Sequence, residues 1–583
     1  MEKQLEHKRH TLAHLLAAAV LEQYPQAKLT LGPAIETGFY YDIDFSGGET
    51  PGDADLKQIQ KGMKKLINKW TEFTHEEVSA KRAREIFAEN PYKLELIDEI
   101  EKKGETITLY TCAGFTDLCR GGHCDNPKEE INVDAFKLDK IAGAYWRGDE
   151  KNPMLTRMYG IAFDTKEELE TYERQIEEAK ARDHRKLGKE LDLFTFSDLV
   201  GPGLPLFTPK GTMMRDLIVS KIMSIQGRYG YQKVTIPHIT KSDLYKTSGH
   251  WDKFEDELFH VKGKSDTEFV MKPMNCPHHT QIYDSSPRSY KELPIRYAET
   301  TMVYRDEQAG ELIGLGRVRS ITQDDGHVFC TVDQIDQEVE NIVNVIKEFY
   351  TSVGMFTDGN YWVSLSISDS SEPEKYLGDP EVWKRAEAML EAVATRLNLP
   401  YQRIEGEAAF YGPKLDFMFK DALGRERQLA TAQLDFVQPE RFNLEYTDSE
   451  GKKQRPVMIH RAVAGSLERF MAIMIEHFAG NFPLWLSPVQ VAVIPVADAH
   501  TAYASGVAEK LKATGFRIEF DDSNESMGKK IRNAKKAKLP YFIVIGDKEV
   551  ESKTVTLESR DTSESTTHTI DELLQKLDTE RNA

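Results

Sequence analysis

Three segments of this 583-residue chain gather side chains able to do chemistry. In YRDEQAGELIGLGRVRSITQDDGHVFC, from Tyr304 to Cys330, the pattern predicts strand, Gly-rich turn, strand. Arg305, Arg317 and Arg319 sit on the two arms, with Glu307, Gln323, Asp324, Asp325 and His327 among them. Strand alternation sets Arg305 and Glu307 on one face. A guanidinium there offers a planar fork of donors to a phosphate. A carboxylate two residues on can accept from an amino group such as that of adenine. A cross-strand salt-bridge ladder on a solvated hairpin would use the same residues, and this segment alone leaves both readings open. In HRAVAGSLERFMAIMIEHF, from His460 to Phe478, Gly465 and Ser466 open a helix with Arg469 in its first turns. A helix N-terminus beside an arginine makes an anion site, although an ordinary core helix with one surface arginine has the same spacing. In the third segment His10 and His14, at i and i+4, share a helix face. Cys119 and His123 (CRGGH) bring the group to four. HxxxH with CxxxH is zinc-ligand chemistry; satisfied helix histidines and buried thiols are the alternative.

The elements that must position these residues fall into blocks. Residues 1–164 read as mixed α+β: an amphipathic opening helix (HTLAHLLAAAVLEQY), helical segments near 54–69 and 79–88, and a strand at Thr106–Tyr110 before the Cys/His stretch. Residues 165–190 are strongly charged with sparse apolar positions, the composition of a solvated linker helix. Residues 191–486 hold long helices around 211–230, 333–351 and 381–397, with β-rich runs KVTIPHI, RYAETTMVYRDE and SITQDDGHVFC, which suggests a mostly antiparallel sheet flanked by helices. Pro483 and Pro488 mark a further boundary. In residues 487–583, VQVAVIPV, FRIEFDD and YFIVIGD alternate with helical segments, an α/β signature.

Composition excludes several classes. Hydrophobic residues are 40% and charged residues 29%, as in globular domains. No apolar run approaches the ~18–20 residues of a membrane span, and the charged start MEKQLEHKRH lacks the apolar core of a secretory signal. Five cysteines in this length make no disulfide scaffold and fit a reducing cytoplasm. A net charge of -19 argues against a uniformly basic nucleic-acid binder but not against a local basic surface. KKIRNAKKAK, Lys529 to Lys538, is such a patch: six basic residues in ten. They suit RNA phosphates, although a solubilising helix face is the commoner meaning of such a run.

The first two segments together resemble motifs 2 and 3 of class II aminoacyl-tRNA synthetases. Helix 211–230 followed by Val234–Ile239 with Pro237 resembles their dimer-forming motif 1. MKPMNCPHH (271–279), AAFYGPKLDF (408–417) and ERQLATAQLDF (426–436) narrow the resemblance to the threonyl-tRNA synthetases of class IIa, over essentially the whole chain. The resemblance implies an α+β multidomain fold: an antiparallel-sheet class II catalytic core, an α+β editing domain and a C-terminal α/β anticodon-binding domain. It implies a homodimeric cytoplasmic ligase with no membrane association, acting on ATP (with Mg²⁺), L-threonine and tRNA(Thr). Threonyl-adenylate and pyrophosphate form first, and the threonyl group then passes to the terminal ribose.

The resemblance also assigns residues. Cys276, His327 and His460 match three ligands of an active-site Zn²⁺, a set that no short zinc-finger spacing reveals. Arg305 matches the α-phosphate contact and Glu307 the adenine contact. Arg317 and Arg469 match the outer-phosphate contacts, and Gln428 and Ser466 line the nucleotide site. Gln323 and Asp325 match contacts around the threonine hydroxyl, with Tyr411, Gln428 and Gln433 lining the pocket. His250, in SGHW, matches a histidine that assists proton removal; a surface-loop histidine is the alternative. His10, His14, Tyr41, Lys93, Asp117, Cys119 and His123 match an editing site that hydrolyses seryl-tRNA by positioning water, without a metal. Gly122 stands where the family often has proline, and Cys124 follows His123 directly. The chain begins almost at the HxxxH helix, resembling a short form that lacks a small N-terminal domain. Prolyl- and histidyl-type synthetases share the core, but the Cys276/His327/His460 set argues against them. A non-enzymatic derivative could lose its nucleotide arginines, and all three are present.

Overall fold

The computed structural model describes residues 2–264, 266–562 and 564–582. The chain forms two compact units that meet in sequence at Glu177/Glu178. That point lies within the expected linker, which is two helices, Lys166–Arg182 and His184–Glu190, rather than one.

In the first unit the opening helix, Glu2–Gln23, is not simply amphipathic. Every residue from Leu12 to Val20 is buried, because it lies between the strand Gly38–Asp44 and the helix Leu56–Leu66. A helix covered on both sides must be apolar all round. Its sheet is antiparallel, through Lys28–Leu29, Gly38–Asp44, Met154–Ala162 and Phe136–Tyr145. A second small sheet runs through Thr74–Val78, Ile107–Cys112 and Phe115–Leu118. The helix Pro91–Lys102 was not expected, although Asn90 accepts from the Tyr92 and Lys93 amides and Pro91 starts the first turn. Those are start signals legible in sequence.

The second unit carries an eight-stranded sheet. Its order is Gln232–Lys233, Ile295–Tyr304, Ser320–Cys330, Val457–Ala462, Glu426–Asp435, Lys414–Lys420, Tyr361–Ile367 and Tyr401–Glu405. Pairing is parallel only at the two edges. Helices Pro209–Arg228, Ile335–Thr351, Pro380–Arg396 and Leu467–His477 contribute Ile218, Ile342, Phe349, Leu390 and Phe470 to one core with Phe417, Leu434 and Ile459 of the sheet.

Two strand expectations need correction. KVTIPHI is not a strand: regular pairing stops at Lys233 and resumes only at Ile239. Pro237 between them has no amide hydrogen to donate to a ladder. The arms of the 304–330 hairpin end at Tyr304 and begin again at Ser320, so Arg305, Glu307, Arg317 and Arg319 lie in the connecting loop. The Arg305 amide still bonds the Arg319 carbonyl at 3.0 Å, but the Asp306 amide turns away to the Glu257 carbonyl at 2.9 Å. Strand alternation therefore does not place Arg305 and Glu307.

The C-terminal sheet has Ile518–Phe520, Val491–Pro495 and Tyr541–Ile545 in parallel, as the apolar runs predicted. An antiparallel hairpin, Thr554–Ser559 and Ser565–Thr569, extends it. In the basic helix Met527–Lys536, Lys530 is buried with its ammonium on the Asp521 carbonyl, and Lys529 pairs with Glu525. Lys538 donates to the Ala479 carbonyl, which leaves Arg532, Lys535 and Lys536 as the exposed cations of the run with no carboxylate or carbonyl partner among the described residues. Among the described residues no helix is long and apolar enough to cross a membrane.

Candidate functional site

Strand Ser320–Cys330 organises the core site. Residues two apart on a strand share a face. Gln323 opens onto a cavity of about 530 Å³ that Arg305, Glu307, Arg317, Gln428, Ser466 and Arg469 also line. Asp324, on the opposite face, is buried and holds the guanidinium of Arg461 at 3.1 Å and the amides of Val463 and Ala464 at 2.9 and 3.1 Å. Ser466 caps the helix Leu467–His477, its hydroxyl accepting the Arg469 amide at 3.3 Å. Gly465 before it has φ +60°. Among the described residues no carboxylate pairs with Arg469. Arg317 pairs with Glu307 at 2.7 Å and Glu311 at 3.1 Å, and Arg319 donates to the Glu307 carbonyl at 3.0 and 2.9 Å.

Asp325 faces a buried Cys/His cluster. His327 and His460 are direct partners on adjacent strands, and Cys276 opens the helix Cys276–Asp284. One ligand atom from each lies within 4.8 Å of the others. His327 Nε2 is 3.1 Å from His460 Nδ1. The far nitrogen of each ring is held: His460 Nε2 by Asp435 Oδ2 at 2.8 Å, and His327 Nδ1 by His279 Nδ1 at 2.7 Å. Sγ of Cys276, Nε2 of His327 and Nδ1 of His460 thus converge with their outer partners in place. Three N/S donors with an anchored second layer fit a zinc-type ion that keeps an open position. Burial holds the Cys276 thiol well above, and the His327 ring well below, their ordinary pKa values. Tyr411 stands against His460 with ring centroids 4.9 Å apart, and its hydroxyl donates to Gln433 Oε1 at 3.1 Å. Asp325 accepts from Asn275 Nδ2 at 3.1 Å. His250 is no surface-loop histidine: it starts the short helix His250–Phe254, is fully buried, and sets Nε2 3.8 Å from Cys276 Sγ.

The first unit holds a separate cavity of about 440 Å³, lined among others by His10, His14, Tyr41, Lys93, Asp117 and Cys119. Asp117 is its centre, with Lys93 Nζ at 2.5 Å, the Tyr41 hydroxyl donating at 2.5 Å and His14 Nδ1 at 3.4 Å. Cys119 Sγ lies 3.1 Å from His10 Nε2 and 3.4 Å from His123 Nε2. His123 is held by stacking on Phe73, centroids 4.0 Å apart. Burial lowers the pKa of His10 and, much further, His14, and pushes the Cys119 thiol up to about 11. Gly122 has φ +86°, which the ring of a proline cannot adopt, so the CRGGH loop takes a path closed to a proline at that position. Cys124 is buried in the core, its amide bonded to the Thr11 hydroxyl at 3.0 Å.

Comparison with known proteins gives the family of each segment. Residues 259–478 match the tRNA synthetase class II core domain (G, H, P, S and T). Residues 490–580 match an anticodon binding domain, and 107–159 the threonyl and alanyl tRNA synthetase second additional domain. The threonine–tRNA ligase of Rubrobacter xylanophilus is 49% identical over 553 residues, covering 95% of this chain and 85% of that protein. The threonine–tRNA ligase of Synechocystis sp. is 47% identical over 584 residues, covering 99% and 95%. The chain belongs to the threonine–tRNA ligase family.

Among solved structures, the RNA binding domain of threonyl-tRNA synthetase from Cryptosporidium parvum superposes with a TM-score of 0.65 at 38% identity, covering 68% of this chain and 98% of that one. Giardia lamblia prolyl-tRNA synthetase, at 17% identity and TM-score 0.56 over 70% of this chain and 80% of that one, shares the fold. Within this threonine–tRNA ligase architecture, His279 and Asp435 are site residues that sequence reasoning passed over. Both lie in strings that carried the resemblance, NCPHH and QLDF. No spacing signals them. Asp435 reaches His460 only because the register pairs Gln433 with His460 and Asp435 with Met458.

Proposed function

We propose that the chain activates L-threonine with ATP, transfers it to tRNA(Thr) and hydrolyses seryl-tRNA(Thr) in its first unit. Residues 1–164 are assigned to hydrolysis, 165–190 to the linker, 191–486 to aminoacylation and 487–583 to the anticodon. The carrying observation is the strand that holds Gln323 in the polar cavity and Asp325 at the Cys/His cluster. One rigid element spans both halves of an adenylate-forming site.

In this reading ATP, with Mg²⁺, occupies the cavity, its outer phosphate between Arg317 and Arg469 and its adenine against Glu307. A threonine carboxylate oxygen attacks the α-phosphorus and pyrophosphate leaves. Arg305 stabilises the charge that develops on the α-phosphate oxygens. Zn²⁺ held by Cys276, His327 and His460 would offer an open position to the amino and hydroxyl groups of threonine. Asp325, Gln323, Tyr411, Gln428 and Gln433 orient the amino acid around that handle. Valine has no hydroxyl to present there, and a site built for a hydroxyl rejects such an analogue strongly. Serine lacks only a methyl group, worth roughly 1–3 kcal/mol, so a second sieve is needed. His10, His14, Cys119 and His123 position the hydrolytic water beside the Tyr41–Asp117–Lys93 group. In the transfer step the terminal ribose hydroxyl attacks the threonyl carbonyl and AMP leaves, with His250 assisting removal of the hydroxyl proton; in the resting site burial first, then the charges of His460, Arg305 and Arg441, push its pKa down to about 3, so the ring there is neutral. The enzyme works as a cytoplasmic homodimer through its motif 1 elements.

ATP–pyrophosphate exchange with an amino-acid panel tests this. Threonine should drive exchange, serine weakly, and valine, proline and histidine not at all. Cys276→Ser should lose its one zinc per chain and its threonine activation while keeping the fold. Exchange driven by proline or histidine, or normal exchange by Cys276→Ser, refutes the reading.

A further inference from the structure

His184 lies outside both cavities, in the helix His184–Glu190 that precedes the catalytic core. It is buried, and both ring nitrogens are engaged. Nδ1 bonds Glu476 Oε1 at 2.7 Å, and Nε2 accepts the amide of Leu315 at 3.1 Å. Asp183, His184 and Glu476 are close enough to suggest a cation site, but the Leu315 amide fills the Nε2 lone pair and Arg425 pairs with the other Glu476 oxygen. The group is a clamp rather than an empty cage.

What it clamps is the turn that carries Arg317. The Ile313 amide bonds the Arg317 carbonyl at 3.2 Å, the Arg317 amide bonds the Ile313 carbonyl at 3.3 Å, and Leu315 at the tip is fully buried. Gly314 has φ +48°, and a Cβ there would stand 2.4 Å from His184 Nε2, so the turn lies directly on the ring. Glu476 sits on the helix Leu467–His477, seven residues after Arg469 and so near the same face. Arg182 fixes the end of that helix by donating to the His477 carbonyl at 2.9 Å.

We propose that His184, oriented by Glu476, is a positioning residue for ATP: it sets the Arg317 turn against the helix that presents Arg469. This rests on the reading of Arg317 and Arg469 as the outer-phosphate ligands. His184→Asn keeps a donor near the Nδ1 position but no acceptor for Leu315. His184→Gln can keep an acceptor near Nε2 and loses the Glu476 bond. Leaving the buried Leu315 amide unpaired corresponds to about a tenfold loss, expected as a tenfold higher KM for ATP in His184→Asn, with kcat and KM for threonine within twofold. His184→Gln should recover part of it. Gly314→Ala presses on the same contact from the turn's side, with the histidine itself unchanged in type, and should raise KM for ATP likewise. In an Arg317→Ala background, His184→Asn should add nothing. If Arg317→Ala leaves KM for ATP unchanged, the phosphate reading itself fails. If Arg317→Ala raises it but His184→Asn and Gly314→Ala do not, or if His184→Asn and Arg317→Ala multiply, the positioning role is overturned. Lowered kcat and thermal midpoint at unchanged KM would mark a merely structural residue.

Discussion

Asp435→Asn probes the metal assignment without changing the volume of the site. Asp435 Oδ1 accepts the Val437 and Gln438 amides at 2.8 and 2.9 Å. Oδ2 accepts His460 Nε2 at 2.8 Å and the side-chain amide of Gln438 at 2.8 Å. An asparagine keeps its oxygen on the two backbone amides, which turns its NH₂ group towards His460. Two donors cannot share that contact, so Nε2 becomes the acceptor and the imidazole proton moves to Nδ1. Nδ1 is the nitrogen that faces His327 Nε2 at 3.1 Å, and once protonated it has no lone pair for a metal. Loss of such an outer partner typically weakens metal binding 10–100-fold, about 1.4–2.8 kcal/mol. Because the tautomer is inverted rather than merely freed, the upper end of that range is expected. Competition against a chromophoric zinc chelator at constant pH measures it, with circular dichroism melts of both metal-free proteins as the control. Wild-type zinc affinity in a folded Asp435→Asn protein would refute both the tautomer argument and His460 as a ligand through Nδ1.

His10→Ala with His14→Ala should leave threonylation intact and let seryl-tRNA(Thr) accumulate in an assay with serine; undetectable misacylated tRNA would sink the hydrolytic assignment. Arg461→Leu strands the buried Asp324 carboxylate and should destabilise the second unit by about 3–5 kcal/mol, read as an earlier denaturant transition; a shift under 1 kcal/mol, to order of magnitude, would mean the pair is dispensable. Lys272 is buried, its ammonium 3.1 Å from the Thr301 hydroxyl, and burial lowers its pKa from 10.5 to about 8. Between those values the unfolded chain holds a proton that the folded chain has shed, so stability rises with pH across that window. Subtracting the profile of Lys272→Met from wild type should isolate this rise, and parallel profiles would contradict it.

Sequence carried the element inventory where one local rule dominates. The helices at 211–230, 333–351 and 381–397 follow from helical pattern, and the three parallel strands of the last domain from short apolar runs between helical segments. It failed where tertiary contact overrides the local pattern. The opening helix was expected to show a polar face and is buried all round from Leu12 to Val20, because two elements cover it there. The arginines of the 304–330 segment were placed on strand arms and lie in a loop, because a distant carbonyl, that of Glu257, takes the Asp306 amide. Site residues divide in the same way. Gln323 and Asp325 could be paired by strand alternation. Asp435, His279 and His184 act through sheet register or through neighbours far away in sequence, and nothing in their own surroundings marks them. Gly122 shows the converse, since a single residue type reports a backbone conformation, φ +86°, that a proline cannot adopt.

A chain of net charge -19 that handles ATP and RNA must concentrate its positive charge rather than spread it. The exposed cations of the basic run that have no carboxylate or carbonyl partner among the described residues are reduced to Arg532, Lys535 and Lys536, since its other cations bind backbone carbonyls or Glu525. In the nucleotide cavity Arg317 is itself paired, with Glu307 and Glu311. The pair with Glu311 is half-exposed on both sides and contributes only about 0–1 kcal/mol. Exchanging the Glu311 carboxylate for a phosphate therefore costs little, while Glu307 is buried and needs a donor of its own when Arg317 turns to the anion; Arg469, with no paired carboxylate among the described residues, is ready for the anion at once. The acidic partners hold Arg317 in a defined place until the nucleotide arrives, and the acidic remainder of the surface repels polyanions that find no such place. Mutating surface carboxylates away from both cavities should accordingly raise affinity for non-cognate tRNA more than for tRNA(Thr), most clearly at low salt.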